Sequence, residues 1–179
     1  MSYKWNTRTE LLLGAERMEY LSHCHVLVVG LGGVGAYAAE QICRAGIGHM
    51  TIVDADTVND SNINRQLPAL HSTLGMQKAE VVGQRLLDIN PRLKLTILNE
   101  FLRDERTEEV LSAQKYDFIV DAIDSLSPKA YLLYHAYRRE IPIVSSMGAG
   151  AKIDPSQVKI ADISKTCNCA LAKAVRKRL

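Results

Sequence analysis

The chain has 179 residues, 47% of them hydrophobic and 23% charged, enough for one substantial core and too few for two comfortable domains. Its formal net charge of +2 neither demands a nucleic-acid partner nor excludes one. Cys24, Cys43, Cys167 and Cys169 are too few and too unevenly spaced for a secreted disulfide framework, and no hydrophobic leader precedes the polar Met1 to Arg8 segment, so a reducing, cytoplasmic setting is expected.

After Thr7 and Thr9, the residues Leu11, Leu12, Ala15, Met18 and Leu21 recur at helical spacing. This predicts one amphipathic first helix, ending near Ser22 and packing on the domain or on a partner. Residues 25–29 form a β-branched run leading straight into glycines, and 50–53 and 117–120 repeat the pattern ahead of acidic residues; they read as buried parallel strands. Helix-like stretches follow over 36–44, 78–87, 105–112 and 128–139, with later strands over 93–98, 141–145 and 158–161. The alternation implies a single α/β domain over 1–179, Rossmann-like, with a mostly parallel sheet and helices on both faces. Residues 170–179 read as a helix without a terminal cap, and a further C-terminal portion is expected. The longest apolar runs are strand-sized, well below the roughly 20 residues of a membrane-spanning helix, so no transmembrane segment is expected.

The chemistry concentrates where strands end. Gly30, Gly32, Gly33 and Gly35 lie between a predicted strand and a predicted helix, the context in which glycines allow a tight turn and close backbone approach to phosphate. Asp54 stands 19 residues beyond Gly35, at the end of the next strand, where a carboxylate can accept hydrogen bonds from both ribose hydroxyls. That pair specifies a nucleotide without saying which one. Asp56, Asn62, Arg65, Gln66 and Lys78 follow, and their amides and two cations suit a triphosphate better than a dinucleotide. Arg65 and Lys78 can neutralise the charge that builds on the phosphoryl oxygens and the departing pyrophosphate. Asp121 and Asp124 end another strand at the same edge, and Asp124 is preferred as the magnesium ligand. Taken singly, the two cations read equally well as solvated surface charges, and the two acids as a turn or helix cap.

In this order and spacing, Gly-x-Gly-Gly-x-Gly, Asp-x-Asp, Asn-x-x-Arg-Gln, Gly-x-x-Lys and Asp-x-x-Asp resemble the adenylation domain of the ubiquitin-activating-like superfamily over about residues 8–150. Ala122 to Ser125, Pro128 to Ala130, Gly148 to Gly150, Ile153 to Pro155 and Asp162 to Thr166 look like its tRNA threonylcarbamoyladenosine dehydratase branch. The resemblance implies that Gly32 and Gly35 line the phosphates and that Asp54 holds the ribose. It further implies that Asn62, Arg65 and Lys78 address the triphosphate of ATP, with Gln66 beside them, and that Asp124 serves Mg2+. It implies a homodimer in which Arg8, rather than Arg17, reaches the partner's ATP, and it leaves room for a sulfur-relay protein partner. The implied substrate is the threonine carboxylate of threonylcarbamoyladenosine beside the anticodon of tRNA. That carboxylate is adenylated and the neighbouring carbamoyl group then closes a ring, so no cysteine nucleophile is required.

Three rival readings stand beside this one: an activator of a ubiquitin-like or sulfur-carrier protein C-terminus, an NAD-dependent oxidoreductase, and a non-catalytic nucleotide-binding partner. Cys167 and Cys169 lack the second cysteine pair of a zinc site and are expected to be structural or incidental. Lys165, Lys173, Arg176, Lys177 and Arg178 could contact tRNA phosphates, and they read equally as a solvated helix face.

Overall fold

The central strands are short aliphatic runs that bury both faces, as strands covered by helices on each side must. The computed structural model describes residues 4–179; Met1 to Tyr3, the start of the polar N-terminal segment, lie outside the described residues. Five strands, β1 (His25–Val29), β2 (His49–Val53), β3 (Lys94–Leu98), β4 (Phe118–Asp121) and β5 (Ile143–Ser145), form one sheet in the order β3-β2-β1-β4-β5. Every pairing is parallel, in the register Val26 with Met50 and with Phe118. All five residues of β1 are buried. Its side chains alternate between two cores. Val26 and Val28 pack with Ala36, Ala39 and Cys43 of α3 (Gly35–Ala45) and with Ala79, Val82 and Leu86 of α4 (Lys78–Ile89). Leu27 and Val29 pack with Val110 and Leu111 of α5 (Glu105–Ala113) and with Leu132 and Ala136 of α6 (Leu126–Arg138).

The chain runs outward from β1 through β2 to β3, then returns to build β4 and β5 on the other side of β1. The carboxyl ends of β1 and β4 therefore flank the point where the winding reverses, the place at which open parallel sheets hold their ligands. The α3–α4 side is tied by Glu40, which accepts from Arg44 at 2.8 Å and from Arg85 at 2.5 Å. Arg85 above all holds the Glu40 carboxyl below its ordinary range.

Two expectations differ from the structure. The first helix is two helices, α1 (Thr7–Leu13) and α2 (Ala15–His23), broken at Gly14, whose φ of 83° and ψ of 158° no side-chain-bearing residue adopts readily. Met18 of α2 is buried, whereas Leu11 and Leu12 of α1 remain 75% and 80% exposed, so the apolar stripe is only partly used within this chain. Residues 158–161 form no strand. They lie between two 3-10 turns in which Asp154 and Asp162 accept from the Ser156 and Ser164 amides. Val158 and Ile160 alternate correctly, yet they lie 79% and 98% exposed because no strand among the described residues pairs alongside them. After that segment α7 (Ala170–Arg176) packs against α6.

Candidate active site

The loop leaving β1 is shaped by two glycines that nothing larger could replace. Gly30 has φ 88°, and a Cβ there would stand 2.7 Å from the Ala122 carbonyl oxygen at the end of β4. A Cβ on Gly35 would land on the Gly30 carbonyl oxygen. The turn thus folds tightly against both β4 and itself, and delivers the start of α3 toward the switch point. Gly32 and Gly33 serve differently: a Cβ on either would fit in ordinary contact, 3.5 Å from Gln66 Nε2 at Gly32 and 3.6 and 3.8 Å from the Arg65 carbonyl oxygen and Cγ at Gly33. The segment carrying Arg65 and Gln66 accordingly lies over the loop. Gln66 Oε1 is buried with no hydrogen-bond partner among the described residues, a polar atom left for a ligand to satisfy.

Asp54 locks this arrangement. Its Oδ2 accepts from the Leu31 amide at 2.6 Å and its Oδ1 from the Asp56 amide at 2.8 Å. Burial raises the Asp54 carboxyl above its ordinary value, and those two amides, with Lys78, pull the other way. Each carboxylate oxygen has thus already taken one backbone N–H, and a ribose could use only the lone pair left on each. Asp56 in turn accepts from Lys78 Nζ at 2.8 Å, and its backbone carbonyl from the Lys78 amide at 2.9 Å. Lys78 is 4% exposed while the Asp56 side chain is 54% exposed, so the ammonium is held in place by an acid that faces solvent.

Asn62 is buried, and its Oδ1 closes a turn by accepting from the Asn59 amide at 3.1 Å. That leaves its Nδ2 as the group able to face a ligand. Arg65 is exposed, with Nη1 donating to the Ser61 carbonyl at 2.8 Å and to Asn64 Oδ1 at 2.9 Å. Those bonds orient the guanidinium without any carboxylate to neutralise it.

The two acids at the end of β4 have opposite fates. Asp121 is fully buried and accepts from Lys129 Nζ at 2.6 Å, Ser145 Oγ at 2.6 Å and the Ile123 amide at 3.0 Å. Burial pushes its carboxyl up, against the pull of Lys129 and the other donors. Lys129 is itself fully buried and also donates to the Ser146 carbonyl at 2.9 Å. Asp121 is therefore a structural tie joining β4, α6 and β5, whereas Asp124 is exposed, free to hold a cation together with ligand phosphates.

The sequence motifs do not single out Lys129 for this role; the one signal for it is its spacing with Leu132 and Ala136 on one face of α6, a face the structure shows to be buried.

Part of the expected set meets at this one loop. Arg65 and Gln66 lie over it, Lys78 connects to it through Asp56 and Asp54, and Asp124 follows the strand end against which Gly30 packs. Arg8 is exposed on α1, which packs against α2; within this chain it is not part of the cluster. Among the described residues no three His, Cys, Asp or Glu side chains assemble as a metal cluster. A magnesium ion here would depend on Asp124 plus phosphate oxygens, which is how this cation is commonly held. The glycine cradle, the unpartnered Gln66 oxygen and the cations around them fit a bound nucleotide.

The model of the ThiF family matches residues 3–179. The tRNA threonylcarbamoyladenosine dehydratase of Escherichia coli (strain K12) is 40% identical over 182 residues, an alignment covering 100% of this chain and 68% of that protein. The crystal structure of E. coli tRNA N6-threonylcarbamoyladenosine dehydratase, TcdA, in complex with ATP superposes with a TM-score of 0.95 at 38% identity, covering 98% of this chain and 72% of that one. Molybdopterin-synthase adenylyltransferase of Salmonella typhimurium (strain LT2) is more distant, at 33% identity over 78% of this chain and 54% of that protein. This chain thus spans about two thirds of the length of the dehydratase it matches.

Proposed function

The chain belongs to the ThiF family, and on that premise we propose that it is an ATP-dependent dehydratase of threonylcarbamoyladenosine in tRNA. The observation that carries this reading is the loop at the switch point, locked by Asp54 and overlain by Arg65 and Gln66, in a fold that superposes on an ATP-bound dehydratase with a TM-score of 0.95.

The threonine carboxylate of the modified nucleoside attacks the α-phosphate of ATP. A P–O bond to pyrophosphate breaks, and the carboxylate becomes a mixed anhydride. Gly32 and Gly33 leave room for the phosphates to approach the backbone, and the side-chain NH2 groups of Asn62 and Gln66 donate to them, while Gln66 Oε1 is left to accept from a donor elsewhere on the ligand. Arg65, unpaired with any acid, offsets the charge growing on the phosphoryl oxygens, and Lys78 shares its ammonium between Asp56 and the departing pyrophosphate. Asp124 would hold Mg2+, whose charge would offset that of the triphosphate. The carbamoyl group then attacks the acyl carbon, the bond to AMP breaks, and one proton is lost from the carbamoyl group. Overall the substrate has lost one water. Both reacting groups sit on one side chain, so ring closure has a large effective molarity and needs no thiol relay.

The enzyme works as a homodimer in which Arg8 reaches the partner's nucleotide, in the cytoplasm with its tRNA. No helix among the described residues is long and apolar enough to cross a membrane. A sulfur-relay partner enters no step, since no sulfur atom is transferred. The test is pyrophosphate release from ATP. It should require tRNA bearing threonylcarbamoyladenosine and be unaffected by a carrier protein with a C-terminal glycine. Release driven by the carrier and not by the tRNA would overturn the assignment.

A further inference from the structure

The formal charge of +2 hides a strong local imbalance. Residues 163–179 hold Lys165, Lys173, Arg176, Lys177 and Arg178 and no acid, leaving the rest of the chain with three more acids than bases. The fold puts this cationic segment at the edge of the sheet where the nucleotide site lies. At its start, Cys169 Sγ is 3.4 Å from the position of a Cβ on Gly148, just beyond β5. At its end, Arg178 Nη1 donates to Ser127 Oγ at 3.0 Å, three residues after Asp124. Thus α7 crosses the β4–β5 side of the carboxyl edge. Ala172 and Val175 are buried and Arg176 is spent on Thr166 and the Ile163 carbonyl, fixing the helix roll. The consequence is that Lys173 and Lys177, one turn apart, both face solvent, with no side-chain hydrogen bond or ion pair among the described residues. Across a small cavity of about 260 Å³ at the start of α6, Arg103 adds a further cation beside Ser127, Pro128 and Tyr131, with Asp104 the one acid in the lining.

We propose that the solvent face of α7, through Lys173 and Lys177 with Arg178 and Arg103 alongside, is the surface on which the phosphate backbone of the tRNA substrate lies while its modified base reaches Asp124 and Arg65. The inference rests on the dehydratase reading and adds to it the place of contact. Unpaired lysines on a fixed helix face neutralise phosphates without reading bases, which suits an enzyme whose specificity lies in one modified nucleoside. No comparable acid-free run of cations occurs elsewhere in the sequence.

The test is tRNA affinity against salt for the wild-type chain, for Lys173→Gln with Lys177→Gln, and for Lys115→Gln at the opposite, amino edge of the sheet. The double variant should bind more weakly at low salt. Its slope of log affinity against log salt should be shallower by about 1.4–1.8, the loss of two phosphate contacts, with the ATP-induced thermal shift unchanged. The Lys115 variant should match the wild type. Unchanged affinity and slope in the double variant, or an equal loss in Lys115→Gln, would overturn this surface while leaving the dehydratase reading intact if the wild type still cyclises its substrate. Failure of the wild type to bind the tRNA at all would sink both. Capture of an acidic protein by α7, with tRNA binding unaffected by the double substitution, would also contradict the proposal.

Discussion

Asp121 and Asp124 stand three residues apart at the end of one strand, and only their surroundings divide the labour between them. Asp121 is enclosed with Lys129 and Ser145, and removing one member of such a buried pair leaves the other charge uncompensated. Lys129→Met should therefore cost about 3–5 kcal/mol of stability in urea unfolding. The conservative Asp124→Asn should leave stability within about 0.5 kcal/mol, as exposed substitutions do, and act on ATP turnover instead. His25 provides a second residue-level test. Burial first, then His49, lowers its readiness to take a proton, against the opposing pull of Asp117. Its ring packs on Tyr116 and bonds Thr51 at 2.9 Å. An unfolded histidine protonates near 6.5 while the folded one resists to lower pH, so the native state binds fewer protons and stability must fall as pH drops through that value. The melting temperature should decline between about pH 7.5 and 5.5, with a flatter decline in His25→Gln. The paired acids Glu40 and Glu100, ordinarily titrating at 4.5 and held lower here, contribute only below that window.

At the level of elements, the glycine loop is the tightest constraint. Because a Cβ on Gly35 would occupy the Gly30 carbonyl oxygen, Gly35→Ala should abolish the stabilisation by ATP, about 2.7 kcal/mol at a hundredfold excess over Kd in the wild type. A normal thermal shift in that variant would show that the loop does not cradle the phosphates. The strands, the four central helices and the order of the site motifs were legible in the sequence because buried parallel strands and their covering helices carry their own apolar periodicity. What was not legible depended on neighbours. The spacing of Leu11 and Leu12 announces an apolar face without saying whether this chain covers it, and Gly14 breaks the helix between them and Met18. Val158 and Ile160 alternate like a strand, but a strand exists only where another backbone pairs with it. The double occupancy of Asp54 by the Leu31 and Asp56 amides was hidden for the same reason, since its partners are set by the tertiary fold.

For the whole molecule, the sheet order β3-β2-β1-β4-β5 brings the glycine loop, Asp54 and Asp124 to one edge, and α7 carries its cations to that edge from the far end of the chain. Arg65 is the side chain on which the chemistry should depend most. Arg65→Ala should lower turnover by about 10²–10³-fold, the usual cost of deleting one donor to a developing anion, with little change in melting temperature because the group is exposed. Mass analysis of tRNA nucleosides, after incubation of the purified protein with ATP and tRNA carrying threonylcarbamoyladenosine, reads the dehydration itself. The modified nucleoside should lose the mass of one water, in an ATP-dependent reaction that Arg65→Ala suppresses; an unchanged nucleoside mass, with ATP bound and the tRNA intact, would overturn the dehydratase assignment.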